Sequence, residues 1–131
     1  MKAALVQVAA VDAAIVAAYL FGSLVHRAAG PLSDVDIGLL VRDGQDRQAV
    51  CDRTMDALCR RLQTSRVEVV SLADAPVPLR YRIIRDGTLV VCRDAGLVER
   101  FATAAVLHYL DFKPLRDRAF ETMRAAILEG R

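Results

Sequence analysis

FGSLVHRAAGPLSDVDIGLLV, residues 21–41, sets Gly22-Ser23 just after one apolar run and Asp34 and Asp36 at the head of another, with a polar loop holding Gly30 and Pro31 between them. If a strand begins at Asp34, the period of two puts both carboxylates on one face, about 7 Å apart along the backbone. Ile37, Leu39 and Leu40 then anchor that strand in a core. Neighbouring carboxylates repel, and each raises the other's pKa unless a cation sits between them. Hard oxygen donors with few His or Cys residues nearby suit Mg²⁺ or Mn²⁺ rather than zinc. Gly22 lets the backbone approach an anion closely, and a helix starting near Ser23 would aim its free N–H groups at phosphate oxygens. A metal site beside a phosphate cradle points to nucleotide chemistry.

Taken singly, Asp-x-Asp is usually a solvated strand edge and Gly-Ser a turn. Their separation, ten residues between Ser23 and Asp34, is what makes the pair informative. The pattern resembles the GS-x10-DxD signature of the DNA polymerase β-like nucleotidyltransferases, and within them the minimal nucleotidyltransferases, small proteins often paired with a HEPN-domain toxin. The resemblance implies an α/β fold with a small mixed sheet of about four strands flanked by helices. It implies that Gly22 and Ser23 hold the β and γ phosphates of ATP, and that Asp34 and Asp36, with a third carboxylate, are catalytic and hold two Mg²⁺ ions. By the same resemblance, AMP passes to a protein hydroxyl, a tyrosine of a HEPN RNase toxin, and the chain is that toxin's antitoxin.

The third carboxylate has a candidate in RVEVVSL, residues 66–72, a strand in which Glu68 is flanked by valines. Burying such a group uncompensated costs several kcal/mol, so it is either functional or turned to solvent from an edge strand. The family usually has Asp on the strand after the first long helix; Glu68 stands there with one more methylene. A second departure is Arg27, four residues after Ser23, where the family often has Gly.

At 131 residues the chain is expected to be a single domain, 1–131, with a helical C-terminal region over about 96–129. Its 54% hydrophobic content and mean hydropathy of +0.28 leave apolar surface for a partner. A net charge of +2 with scattered arginines argues neither way on nucleic acid, and no direct nucleic-acid binding is expected. Cys51, Cys59 and Cys92 have neither metal-ligand nor disulfide spacing, which suits a reduced, cytoplasmic setting. The apolar N-terminal stretch carries Gln7 and Asp12 and only Lys2 ahead of them, so neither a signal peptide nor a membrane span is expected.

The remaining periodicities predict a short helix over 2–10, a buried strand over 14–21, an amphipathic helix over 47–63 and a strand over 88–92. The charges Asp46, Arg47, Asp52, Arg53, Asp56, Arg60 and Arg61 in and beside the helix over 47–63 read as a solvated face. Pro76 and Pro78 mark a loop, followed by a helical turn over 79–84 and a reversal at Asp86-Gly87. Arg80, Arg82 and Arg85 are candidates for triphosphate or partner contact, or surface ion pairs. From Gly96 on, Leu97, Phe101, Ala104, His108, Phe112 and Leu115 form a stripe that Pro114 is able to kink. His108 and Tyr109 read as packing residues. HYLDFKPLRDR, residues 108–118, also resembles the toxin-paired minimal nucleotidyltransferases. Two other functional classes stay open: a non-catalytic antitoxin that neutralises by occlusion, and a transferase acting on small molecules, as aminoglycoside nucleotidyltransferases do.

Overall fold

The computed structural model describes residues 1–22 and 35–128. Along the chain come α1 (Lys2–Ala10), β1 (Ile15–Phe21), β2 (Val35–Val41), α2 (Arg47–Leu62), β3 (Val67–Ser71), a 3-10 turn (Leu72–Asp74), α3 (Val77–Asp86), β4 (Thr88–Cys92) and α4 (Ala95–Leu128). The strands form one mixed sheet in the order β3-β2-β1-β4. β1 is antiparallel to both β2 and β4, while β2 and β3 are parallel. The mixed α/β architecture expected from the sequence is therefore present.

β1, IVAAYLF, is a continuous apolar run because it is central and buried on both faces. One face meets α1 and α2, where Leu5 and Val8 pack with Ile15, Ala18, Ile37, Leu39, Val50 and Leu58. The other meets α3 and α4, where Ile83 and Val98 pack with Tyr19, Leu40 and Leu72. β2 enters the core gradually: Val35 and Asp36 are half-buried at its start and every later residue is buried. That gradient leaves Asp36 on the rim of the core.

α2 starts where Asp46 accepts a hydrogen bond from the Ala49 N–H at 3.1 Å, and it ends at Gln63 in the left-handed region, φ 53°. Its charged face does more than solvate. Arg47 pairs with Asp74 at 2.8 Å and Arg53 with Asp12 at 2.7 Å, fastening α2 to the turn after β3 and to the link between α1 and β1. Arg93 donates to the carbonyls of Ala9, Asp12 and Ile15, so the end of β4 holds the end of α1 to the start of β1.

Hydrogen bonding to Arg53 is the main cause that holds the Asp12 carboxyl below its ordinary pKa. A depressed folded-state pKa stabilises the fold fully above the unfolded value of about 3.9, and the contribution is lost as pH falls through the lower folded value. Urea melts at pH 6 and pH 3 are therefore expected to show a smaller acid loss in Asp12→Asn than in the wild type. Equal losses would mean that the pair contributes nothing to acid stability.

Two elements differ from the sequence reading. α3 begins at Val77 and takes Pro78 into its first turn, where a missing N–H costs nothing, so the helix is longer than a turn over 79–84. α4 presents Val98 and Ala105 to the core, while His108 is exposed and Leu115 is 63% exposed. Leu97 and Phe101 of the expected stripe do pack on the core and Phe112 is half-buried, but the packing face is rotated so that His108 and Leu115 fall outside it. Pro114 lies inside α4, which stays helical through it. No helix among the described residues is long and apolar enough to cross a membrane.

Candidate active site

The rim where β1 ends and β2 and β3 begin gathers the sequence candidates that the structure describes. Phe21 lies opposite Asp36 across the antiparallel pair, and Asp36 lies beside Glu68 across the parallel pair. Laterally paired residues share a sheet face and stand about 4.8 Å apart at the backbone, so Asp36 and Glu68 are neighbours on one face. Tyr19, Leu40 and Val70, which alternate with them in register, belong to the core beneath α3 and α4, so both carboxylates are on that side of the sheet. The Val35 N–H donates to the Arg66 carbonyl at 2.8 Å and continues the pairing to the end of β2.

Gly22 completes the row. Its φ is +83°, a left-handed conformation that L side chains rarely adopt. A Cβ built on it would overlap the Asp36 carboxylate and stand 3.1 Å from Asp36 Cγ. The backbone at the end of β1 therefore lies against the carboxylate face, with no room for any side chain between them.

Glu68 is exposed on β3, an edge strand, and so escapes the burial penalty that its valine neighbours suggested. The solvent-facing reading of Glu68 therefore holds, and its register also places it beside Asp36. Ser23 and Asp34 lie outside the described residues, as do His26, Arg27, Gly30 and Pro31. Among the described residues no group of three His, Cys, Asp or Glu side chains forms a metal cage. The described pair, Asp36 and Glu68, offers adjacent hard-oxygen donors of the type that Mg²⁺ takes.

The other polar candidates fall elsewhere. Arg80 donates to the carbonyls of Ala73 and Ala75 at 3.0 and 2.9 Å, and Arg85 pairs with Asp86 at 2.8 Å. Arg82 remains exposed. Burial pushes the Cys51 thiol up to about 11, which keeps it protonated at neutral pH. Sequence reasoning missed the stack of Tyr81 on Tyr109, with ring centroids 3.9 Å apart and planes 2° from parallel. It also missed the Gly22–Asp36 contact, although Gly at the end of an apolar run was its available signal.

Residues 4–96 match the family model described as polymerase beta, nucleotidyltransferase. The chain belongs to that family. Among solved structures, one described as a toxin–antitoxin with AMP-PNP superposes with a TM-score of 0.79 at 21% identity, over 93% of this chain and 97% of the other. A tri-AMPylated Shewanella oneidensis HEPN toxin in complex with MNT antitoxin gives 0.71 at 20% identity, over 93% and 94%. The toxin–antitoxin MntA-HepT gives 0.71 at 20% identity, over 93% and 95%. At these identities the likeness establishes a shared fold. No curated protein matches the sequence.

Proposed function

We propose that this chain transfers AMP from ATP to a hydroxyl of a HEPN-domain toxin, a tyrosine's, and acts as the toxin's antitoxin in the cytoplasm. The observation that carries the reading is the row Gly22, Asp36, Glu68 at one end of the sheet of a polymerase beta nucleotidyltransferase. It is supported by the fold's likeness to antitoxins solved with AMP-PNP and beside an AMPylated toxin.

In the transfer, the acceptor oxygen bonds to the α-phosphorus and the bond from that phosphorus to the bridging oxygen of the β-phosphate breaks. ATP and the protein hydroxyl become an AMP ester, pyrophosphate and a proton. Asp34, Asp36 and Glu68 would hold the divalent cations, two Mg²⁺ ions, whose charge would neutralise the α-phosphate and the departing pyrophosphate. Gly22 and Ser23 would take the β and γ phosphates, the glycine because its backbone approaches an anion unobstructed. Positioning and electrostatics then do most of the catalytic work.

Calorimetry of ATP binding with Mg²⁺ and with EDTA, followed by mass spectrometry of the partner after incubation with Mg²⁺ and ATP, tests this. Tight binding only with the metal, and an adenylyl increment on the partner, are expected. Equal affinity with EDTA would remove the metal from the site. The exposed, longer Glu68 favours a second reading, an antitoxin that works by occlusion alone. That reading requires a silenced toxin with no added mass.

A further inference from the structure

We infer that the second half of α4 is a docking arm that holds the acceptor protein over the catalytic end of the sheet. The inference rests on the transferase reading above and adds the surface that selects the partner.

The strand directions locate the arm. Leu20 pairs with Thr88 and Ala17 with Cys92, so β1 runs toward the catalytic rim and β4 runs away from it. α4, which follows β4, therefore starts at the opposite end, where Leu97 and Phe101 share a hollow with Leu40 and Val41 at the close of β2. It then returns beside α3. The Arg80 guanidinium stands 6.0 Å from the Phe101 ring, and further along Tyr109 stacks on Tyr81. α3 itself leads into Thr88, at the catalytic end.

Length then carries the helix past the rim. Ala95 to Phe112 takes about 26 Å at the α-helical rise. A seven-residue strand such as β1 spans only about 20 Å. The remaining helix, residues 113–128, extends about 24 Å farther. Along it only Arg116 and Ala126 are partly covered, as expected of a segment that has left the body.

The arm is not a uniformly polar extension. Ala105, Tyr109 and Phe112 on the packed side are followed at three- and four-residue spacing by Arg116, Phe120, Met123 and Ile127. Phe120, Met123 and Ile127 are 61%, 56% and 67% exposed. Anchors at i, i+3 and i+7 are the pattern of a helix that lays its apolar face into a hydrophobic groove. Such a stripe is costly to leave in water.

Two observations select the acceptor protein as the occupant. A protein seated on the arm sits beyond the rim that bears Asp36, where an incoming hydroxyl has to arrive. The family model ends at residue 96, before the arm, whereas the matches to toxin–antitoxin structures span 93% of the chain, too much to omit a 34-residue helix. The match therefore runs past the family model into α4 and at least the nearer part of the arm, which chains that form such complexes share.

The test uses the full chain co-expressed with its HEPN-domain partner. Phe120→Asp and Met123→Asp place a charge on the stripe, and Ala125→Asp places one on the opposite side of the same helix. The stripe variants are expected to weaken partner affinity by roughly tenfold or more. Transfer at limiting partner should fall in proportion, with ATP affinity unchanged and the rate at saturating partner retained. Ala125→Asp should behave as wild type. Wild-type affinity and transfer in both stripe variants would overturn the arm. So would sedimentation showing that they dissociate a homodimer of this chain without touching partner affinity, since a second copy would then be the occupant. If the wild type binds its partner but transfers nothing, the transferase reading fails, and partner affinity alone still decides whether the stripe docks it.

Discussion

Asp36→Asn is expected to leave the fold standing and to slow AMP transfer by about a thousandfold, the scale of several kcal/mol of lost electrostatic stabilisation. Asn matches Asp in shape, and Asp36 is half-buried at the start of β2 rather than deep in the core, so packing changes little. What disappears is one negative charge beside Glu68, which in the proposed reaction would help to hold a divalent cation against the triphosphate. Partner binding should survive, because the stripe on α4 is untouched. AMP incorporation into the HEPN partner, followed by mass spectrometry alongside thermal melts of the variant, gives both readouts. A rate within tenfold of wild type with an unchanged melt would show that Asp36 is no part of the catalytic machinery.

The sequence made the parts of this site visible one at a time. Asp36 and Glu68 each stand out as carboxylates at the edge of apolar runs. That they are lateral neighbours depends on β3 pairing in parallel with β2, and strand order is not encoded in a period of two. The same limit hid the contact between Gly22 and Asp36. α2 was readable because its apolar residues recur at helical spacing, and β1 because a central strand is apolar throughout. α3 was shortened by treating Pro78 as a breaker, although proline suits the first turn of a helix. The packed face of α4 was only partly placed, right for Leu97 and Phe101 and wrong for His108 and Leu115, because Ala102, Ala104, Ala105, Val106 and Leu107 put apolar side chains around much of its circumference. Several amphipathic stripes fit such a segment equally well, and only contact with α3 and the sheet selects one. The pair between Arg53 and Asp12 joins residues 41 apart, beyond any local pattern.

Gly22→Ala should slow transfer as much as Asp36→Asn does, by displacing the carboxylate rather than by discharging it. Two costs coincide at this position. The backbone stands at φ +83°, which an L side chain adopts only with strain of about 1–3 kcal/mol. The added methyl would also overlap the Asp36 carboxylate, so either that side chain rotates away from the row or the end of β1 withdraws. Gly44 separates the two effects, since its φ is +84° and a Cβ there meets nothing within 4 Å. Gly44→Ala should therefore lose stability on the same scale while transferring AMP at the wild-type rate. Gly22→Ala should lose both stability and transfer, with metal-dependent ATP affinity falling in calorimetry. If the two alanine variants are equally active once compared well below their melting temperatures, the closeness of Gly22 to Asp36 has no catalytic role, and the glycine is there for the turn alone.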